Sequence, residues 1–139
     1  MINKKLLAVL GCVMVLCACS TAPRDLTSLG AFQYTAYDQA GTKIVEGWMT
    51  LTLKDATTVS GRWQFQPIGD PQNIGPQVGS GDLGGDLHNG HELTINLNPE
   101  MADNNVFLAG TYTPTEITGT WSWATLMGAV NQGTFRAVK

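Results

Sequence analysis

Apolar and polar residues alternate along most of this chain, and the alternation constrains its fold more than any other feature. A motif recurs within it, in which an apolar residue, a glycine and an aromatic residue occupy every second position: Val59-x-Gly61-x-Trp63-x-Phe65, Leu108-x-Gly110-x-Tyr112 and Ile117-x-Gly119-x-Trp121-x-Trp123. Residues two apart lie on one face of a β-strand, so glycine and aromatic residues share a buried face while the residues between them face water. No window has the spacing of an amphipathic helix, and the sequence therefore predicts an all-β fold.

Eight segments carry this alternation, and turn residues separate them. We place strands at about residues 31–37, 43–53, 58–67, 78–87, 91–98, 105–112, 116–124 and 131–138. Connections of hairpin length favour an up-and-down meander, and eight antiparallel strands can close into a barrel that leaves no exposed edge. We therefore expect an eight-stranded antiparallel up-and-down β-barrel over residues 31–139, with an open sandwich as the alternative.

The matching of apolar faces sets the register of the hairpin between strands four and five. Asn89-Gly90 is a common two-residue turn, but that register would place Leu93 opposite an acidic residue. A three-residue loop over 88–90, which pairs Leu87 with His91, keeps the apolar residues on one face, so we choose it.

The hairpin between strands six and seven brings two glycines together. A loop over Thr113–Glu116 pairs Tyr112 with Ile117 and Gly110 with Gly119. Glycine on the inward face leaves room for a large neighbour, which is how small barrels fill a tapering interior. We expect Trp121 to occupy the space that this glycine pair leaves.

The predicted connections differ in length between the two ends of the barrel. Links after strands two, four and six are short, at about 54–57, 88–90 and 113–115, and they lie at the end where strand one begins, which we name the near end. The other links lie at the opposite, far end, and three of them are long: 68–77, 99–104 and 125–130. Because long loops on a rigid scaffold commonly carry function, we expect the far end to be the working end.

Residues 1–18 have the form of a bacterial lipoprotein signal peptide. Two lysines precede an apolar run from Leu6 to Leu16, which is too short to span a membrane. The run ends in Leu16-Cys17-Ala18-Cys19, which resembles the lipobox of lipoproteins, although a cysteine is less usual at its second position. The resemblance implies cleavage before Cys19 and acylation of Cys19 with more than one chain, enough for stable anchoring. In Gram-negative lipoproteins an Asp after the acylated cysteine favours retention in the inner membrane, so Ser20 implies sorting to the outer membrane. The alternative interpretation of residues 1–18 is an ordinary secretory signal peptide.

These features define the mature chain and its surroundings. Cys12 and Cys17 leave with the signal peptide and Cys19 is acylated, so no disulfide is expected, and residues 19–30 form the lipidated cysteine and a short flexible tether. Beyond residue 18, six Lys and Arg face eleven Asp and Glu, a net charge of about −5, which disfavours nucleic-acid backbones and anionic lipid. We expect membrane contact through the lipid anchor alone, on the periplasmic side of the outer membrane or at the cell surface.

The arrangement of short links at one end and long loops at the other resembles the calycin group, which includes lipocalins and avidins. The segment Trp123-Ala-Thr-Leu-Met-Gly, followed by Gly133-Thr-Phe135, is similar to the terminal Trp-x-Ser-Thr-Leu-x-Gly…Thr-Phe of avidins. The opening Gly-Thr-Trp-x-Asn element of avidins is absent, and Gly30-Ala-Phe32-Gln-Tyr34 stands in its place. The biotin-binding residues of avidins therefore do not carry over, and fold-level similarity does not transfer their function.

Inward aromatic residues and nearby amides form the candidate ligand site at the far end: Trp63, Phe65, Trp121, Trp123, Asn131 and Gln132. An apolar cup with amides at its rim suits a small, largely neutral ligand, although aromatic residues in a small barrel also serve simply as core. The alternative function is a protein-interaction or inhibitor module that acts through the far-end loops on a periplasmic protein. A deep cavity would favour the ligand, and a filled barrel would favour the partner protein.

The other polar clusters were considered as metal or catalytic sites, and we predict neither. His88 and His91, with Asp86 and Glu92 nearby, have the composition of a metal site, but we place His88 in a turn and His91 in a strand at the near end. No Ser-His-Asp arrangement can be built there. We predict no catalytic site, no metal and no cofactor, hence not an enzyme. Trp48 faces outward by parity, either as a contact surface or at a bulge that turns it inward.

The lipobox predicts how the chain is processed. Cys19→Ala should abolish incorporation of radiolabelled palmitate, because it removes the acylated thiol. Cys17→Ala is the matched control, since alanine is common at that lipobox position and labelling should persist. Palmitate labelling that survives in Cys19→Ala would contradict the lipoprotein assignment.

Overall fold

The computed structural model describes residues 26–139, so the predicted signal peptide, Cys19 and most of the predicted tether lie outside the described residues. Eight strands occupy most of the described range: β1 Thr27–Tyr37, β2 Lys43–Leu53, β3 Thr58–Pro67, β4 Gly79–His88, β5 Glu92–Asn96, β6 Asn104–Tyr112, β7 Glu116–Thr125 and β8 Gly128–Val138. Across residues 26–139, no helix has the length and apolar character needed to cross a bilayer.

The strands form one closed barrel. Each strand pairs antiparallel with the next in sequence, and β1 pairs with β8 from Gln33–Val138 to Tyr37–Thr134, which closes the sheet. This confirms the predicted eight-stranded antiparallel up-and-down barrel over the open sandwich. The predicted pairs Tyr112–Ile117 and Gly110–Gly119 are also confirmed.

The start of the barrel and its fourth turn differ from the predicted positions. β1 begins at Thr27, four residues before the predicted strand. In the β4–β5 hairpin Leu87 pairs with Leu93 rather than with His91, so the predicted register is wrong by two residues although it assigned the correct face. Asn89 and Gly90 both have positive φ, 52° and 75°, and form a tight turn whose last residue is the unpaired His91. Pairing of Leu87 with Leu93 buries two apolar residues side by side, which the predicted register did not.

The connection between β7 and β8 is much shorter than predicted. β7 continues to Thr125 and β8 begins at Gly128, so only Leu126 and Met127 form the turn, and the predicted long loop over 125–130 is wrong. Between Trp123 and Ala124 the partner residue moves from Asn131 to Ala129, so Val130 forms a bulge on β8. The bulge breaks the alternation of β8, which is why sequence periodicity began this strand three residues too late.

Side chains from all eight strands fill the interior. The largest of those under 2 % exposed are Trp121, Tyr34, Phe32 and Met49. Tyr34 stacks on Phe65 with ring centroids 4.1 Å apart and nearly parallel planes, and on Phe135 at 5.6 Å. Tyr34, Phe65 and Phe135 therefore pack on one another within a continuous core rather than forming the walls of an empty cup.

A tryptophan spans the seam where the barrel closes. Trp121 on β7 pairs with Gly133 on β8, and its indole Nε1 donates a 2.8 Å hydrogen bond to the backbone carbonyl of Tyr37 on β1. A Cβ at Gly133 would collide with this indole and with the same carbonyl, so only glycine fits. Trp121 was expected to lie over the Gly110–Gly119 pair, but its indole crosses β8 instead.

The glycine pair itself is a point of close backbone approach. A Cβ on Gly119 would strike the Ala109 carbonyl and the Gly110 Cα, neither of which can rotate away. Gly119→Val should therefore lower the free energy of unfolding by about 1–3 kcal/mol through overpacking. The control is Thr118→Val, which places a valine on the exposed outer face of the same strand. Equal urea midpoints for the two variants would show that the inward face of β7 is not tightly packed.

Candidate functional site

A single loop covers the far end of the barrel. Residues 68–78, which we name the mouth loop, connect β3 to β4. Asn73 and Gly75 have positive φ, 56° and 66°, and turn the loop inward so that Ile74 packs against the core. Gln77 is fully buried, and its Nε2 donates a 2.7 Å hydrogen bond to the Ile74 carbonyl. The mouth loop is thus folded into the barrel opening rather than standing clear of it.

Amides from two other elements hold the mouth loop in place. Asn98, after β5, donates from Nδ2 to the Pro76 carbonyl at 3.0 Å. Asn131, on β8, donates from Nδ2 to the Asn73 carbonyl at 2.9 Å. The loop is therefore tied to two separate parts of the barrel rim, and each bond gives one of its carbonyls a partner.

Trp123 lies beneath this loop. Its Nε1 donates a 2.7 Å hydrogen bond to Oδ1 of Asn104, and the face of its indole ring is covered by Gly75. A Cβ at Gly75 would fall 2.6 Å from Cδ1 of the ring, closer than real contacts allow. The absence of a side chain at this position is what lets the mouth loop lie flat on the indole.

The structure brings together some of the sequence-predicted site residues and separates others. Trp63 and Phe65 are buried core residues with ring centroids 5.1 Å apart, and Nε1 of Trp63 bonds to the Leu97 carbonyl at 2.7 Å. Trp121 is fully buried at the closure seam, away from solvent. Binding of a ligand by these aromatic residues stays a prediction.

The two predicted amides have different positions. Asn131 pairs with Trp123 and bonds to the mouth loop, so it belongs to the covered opening. Gln132 pairs with Ser122 and is exposed on the outer wall, so it does not share a site with the buried aromatic residues. The strand parity that places Trp123 inward also requires Gln132 to face outward, and this signal was present in the sequence.

Three buried polar atoms have no partner among the described residues: Tyr34 Oη, Gln77 Oε1 and Asn105 Oδ1. Tyr34 and Gln77 are almost fully buried. Burial raises the pKa of the Tyr34 hydroxyl far above its ordinary value, so this group stays neutral. Sequence analysis did not identify these atoms, because an inward tyrosine in a strand pattern does not reveal whether its hydroxyl finds an acceptor.

The β7–β8 turn presents the most exposed apolar residues of the far end. Leu126 is 80 % and Met127 is 96 % exposed, and Met101, in the neighbouring link between β5 and β6, is 43 % exposed. Acidic residues occupy the other far-end links: Asp38, Asp70, Glu100 and Asp103. Met101 and Met127 fall within the predicted far-end loops 99–104 and 125–130, but the sequence pattern did not predict that two apolar residues form the whole of a tight turn.

The histidines at the near end exchange the positions predicted for them. His88 is the last residue of β4, and His91 lies in the turn, where its Nδ1 is 2.9 Å from the Asn89 carbonyl. His91 Nε2 lies 3.8 Å from a carboxylate oxygen of Glu92. The described part of the chain has no group of three or more His, Cys, Asp or Glu side chains placed to hold a metal ion.

The chain was compared with family models, with curated proteins and with solved structures, and none of them matches it.

The contact between Gly75 and Trp123 predicts how the mouth loop can be loosened. Gly75→Ala introduces two penalties, backbone strain at positive φ and a collision with the Trp123 indole. Gly69→Ala is the matched control. It introduces only the strain, because Gly69 has a φ of 72° and no atom lies within 4 Å of the position its Cβ would take. Alanine in this conformation costs about 1–2 kcal/mol, and the collision should add about 1–3 kcal/mol for Gly75→Ala alone. Urea midpoints measure the stability, and acrylamide quenching of tryptophan fluorescence should increase only in Gly75→Ala. Indistinguishable variants would show that the loop does not rest on Trp123.

Proposed function

We propose that this chain is a membrane-tethered interaction module. Acylated Cys19 holds it at the periplasmic face of the outer membrane, and the far end of the barrel binds a partner protein. The observation that carries the proposal is the β7–β8 turn, where Leu126 and Met127 stand almost completely exposed at the tip of a paired hairpin. Exposed apolar residues that are adjacent and rigidly presented are a common feature of protein interaction sites.

The charge around this turn specifies the kind of partner. Asp38, Asp70 and Asp103 each lie in one of the other far-end links, and the exposed Lys43 begins β2 at the same end, so acidic residues are in excess there. Glu100, in the same link as Asp103, lines a groove on the outer wall instead. An apolar centre with an acidic surround is complementary to a protein that offers an apolar pocket bordered by Lys or Arg. Such complementarity mainly raises the association rate and selects the partner, while the buried apolar contact supplies affinity.

The packing of the barrel also supports a function on its outside. Side chains from every strand occupy the interior, and the mouth loop covers Trp123. A partner protein can dock on the far end without any rearrangement of these groups. Binding inside the barrel would first require the mouth loop to lift.

A small, largely neutral ligand beneath the mouth loop is the second candidate. The observation that favours it is the pair of unpartnered polar atoms Tyr34 Oη and Gln77 Oε1, since buried polar groups in proteins are almost always paired. A polar ligand beneath the lifted loop would offer partners to such atoms. The Gly75→Ala variant, in which the loop is loosened, is the form in which this ligand should enter most readily.

Site-specific photo-crosslinking in cells tests the leading proposal. The photoreactive residue p-benzoylphenylalanine replaces Met127 in the full acylated chain, and the matched control carries it at Thr120, which is exposed on the outer wall of the same strand pair. We expect one protein adduct of defined mass at position 127 and none at position 120, with a lower yield as salt concentration rises because the acidic surround is screened. Mass spectrometry then identifies the adduct.

Three outcomes would contradict the proposal. Equal adducts at both positions would indicate non-specific collision, and the absence of a protein adduct at position 127 would remove the docking site. An adduct with lipid rather than protein would assign the turn to the membrane surface instead.

A further inference from the structure

A row of three side chains crosses the outer wall of the barrel near its middle. Trp48 on β2 pairs with Gln33 on β1 and with Gln64 on β3, so all three side chains point outward side by side. Trp48 is 39 % exposed, and both glutamines are exposed. Neighbouring strands are about 4.8 Å apart, so each side of the Trp48 indole has an amide next to it. One small ring-shaped molecule placed on the indole could contact both amides.

The immediate surroundings of this row are polar, and the charged residues Glu46, Arg62 and Asp82 beside it sum to a charge of −1. A depression of about 170 Å³ is lined by Gln33, Trp48 and Gln64, together with Gln66 and the backbone of adjacent residues. On the far side of the row Gln66 donates from Nε2 to a carboxylate oxygen of Glu46 at 3.1 Å. On the near side Arg62 lies 3.7 Å from Asp82. The charged groups beside the row therefore each have a partner of their own.

A second, longer groove lies next to the depression on the same wall. This groove, of about 670 Å³, follows the outer face of β2, β3 and β4, and hydroxyl groups of Thr50, Thr52 and Ser60 are among its lining. Pro99, from the link between β5 and β6, packs against Gly84 and forms one side of it. From Trp48 to the end of the groove at Lys54 the strand rises about 20 Å. The outer wall thus offers an elongated polar track with one aromatic platform.

We propose that this track binds a neutral carbohydrate chain, with one pyranose ring stacked on Trp48. A pyranose has an apolar face of C–H groups that fits the indole surface, and hydroxyl or acetamido groups around its edge. Each glutamine amide offers two donors and a carbonyl acceptor, which match those edge groups from both sides of the stacked ring. The hydroxyl-lined groove then receives the next units of the chain. The structure thereby assigns a second site, on a different surface from the far-end docking turn.

The same observations argue against other occupants. A nucleic acid or an acidic polysaccharide needs a surplus of cations, whereas the two cations that line the groove, Lys54 and Arg62, are matched by two anions, Asp82 and Glu100. A peptide docked through apolar side chains needs apolar neighbours, whereas Trp48 is bordered by amides and by Thr50. A neutral polyol is the class that uses both the indole face and the amides.

Titration with defined oligosaccharides tests this site. The full acylated chain in a zwitterionic detergent, which avoids sugar head groups, is titrated with chitotriose, a trimer of N-acetylglucosamine, and with cellotriose, which lacks the acetamido groups. Binding is followed by tryptophan fluorescence and by the NMR signal of the Trp48 indole. We expect saturable binding of at least one trimer, a loss of about tenfold in affinity for Trp48→Ala, and a smaller loss for Gln64→Ala.

Phe107→Ala is the matched control, because Phe107 is also an outward aromatic residue and is 41 % exposed, but it lies on β6, two strands beyond β4, and does not line the groove. Its affinity for the trimer should equal that of the unchanged protein. Failure of both trimers to bind at their solubility limits would overturn the proposal, as would equal losses for Trp48→Ala and Phe107→Ala. Dimerisation that Trp48→Ala abolishes, without carbohydrate binding, would assign this face to a second copy of the chain instead.

Discussion

The hydrogen bond from the Trp121 indole to the Tyr37 carbonyl is the interaction on which the closed form of this barrel most depends. It starts on β7, passes over β8 at Gly133, and ends on β1, so it spans the seam at which the first and last strands meet. The crossing is possible only because Gly133 has no Cβ to obstruct the ring. Closure removes the two strand edges that an open sheet of this length would expose, and it confines the inward aromatic residues to one sealed core.

The same combination of an indole and a glycine recurs toward the far end. Trp63 faces Gly81 across β3 and β4 and bonds to the Leu97 carbonyl, while Trp123 lies under Gly75 and bonds to Asn104. In each case glycine provides the space for the ring, and a nearby oxygen satisfies the indole N–H that burial removes from water. The consequence for function is direct. Since the aromatic residues that could have lined a binding cup fill and cover it, we propose recognition first at the far-end turn and on the outer wall.

Much of the fold could be predicted from the sequence, because strand periodicity depends on local residue order. The alternation around Gly61, Gly110 and Gly119 identified the inward face, and parity correctly placed Trp48 outside. Register was harder, since shifting Leu87 from His91 to Leu93 keeps every side chain on its face and changes only which residues pair. The bulge at Val130 could not be anticipated either, because a register shift interrupts the very pattern that locates strands.

The site was less predictable than the fold because it depends on contacts between distant segments. Nothing in the alternation of residues indicates that Asn73 and Gly75 adopt positive φ and turn the mouth loop onto Trp123. The significance of Trp48 likewise depends on Gln33 and Gln64, which are distant in sequence and become its neighbours only through strand pairing.

Hydrogen exchange at the four tryptophan indoles measures the central claim most directly, namely that the barrel is closed, filled and covered at its far end. Trp63, Trp121 and Trp123 each donate their indole N–H to an oxygen within the protein, whereas Trp48 has no acceptor among the described residues and is partly exposed. In deuterated water the Trp48 indole signal should vanish at once. Trp63 and Trp121 should exchange slowest, and Trp123 should exchange at an intermediate rate set by opening of the mouth loop. Rapid exchange at Trp63 and Trp121 as well would show an open or water-filled interior and contradict this account.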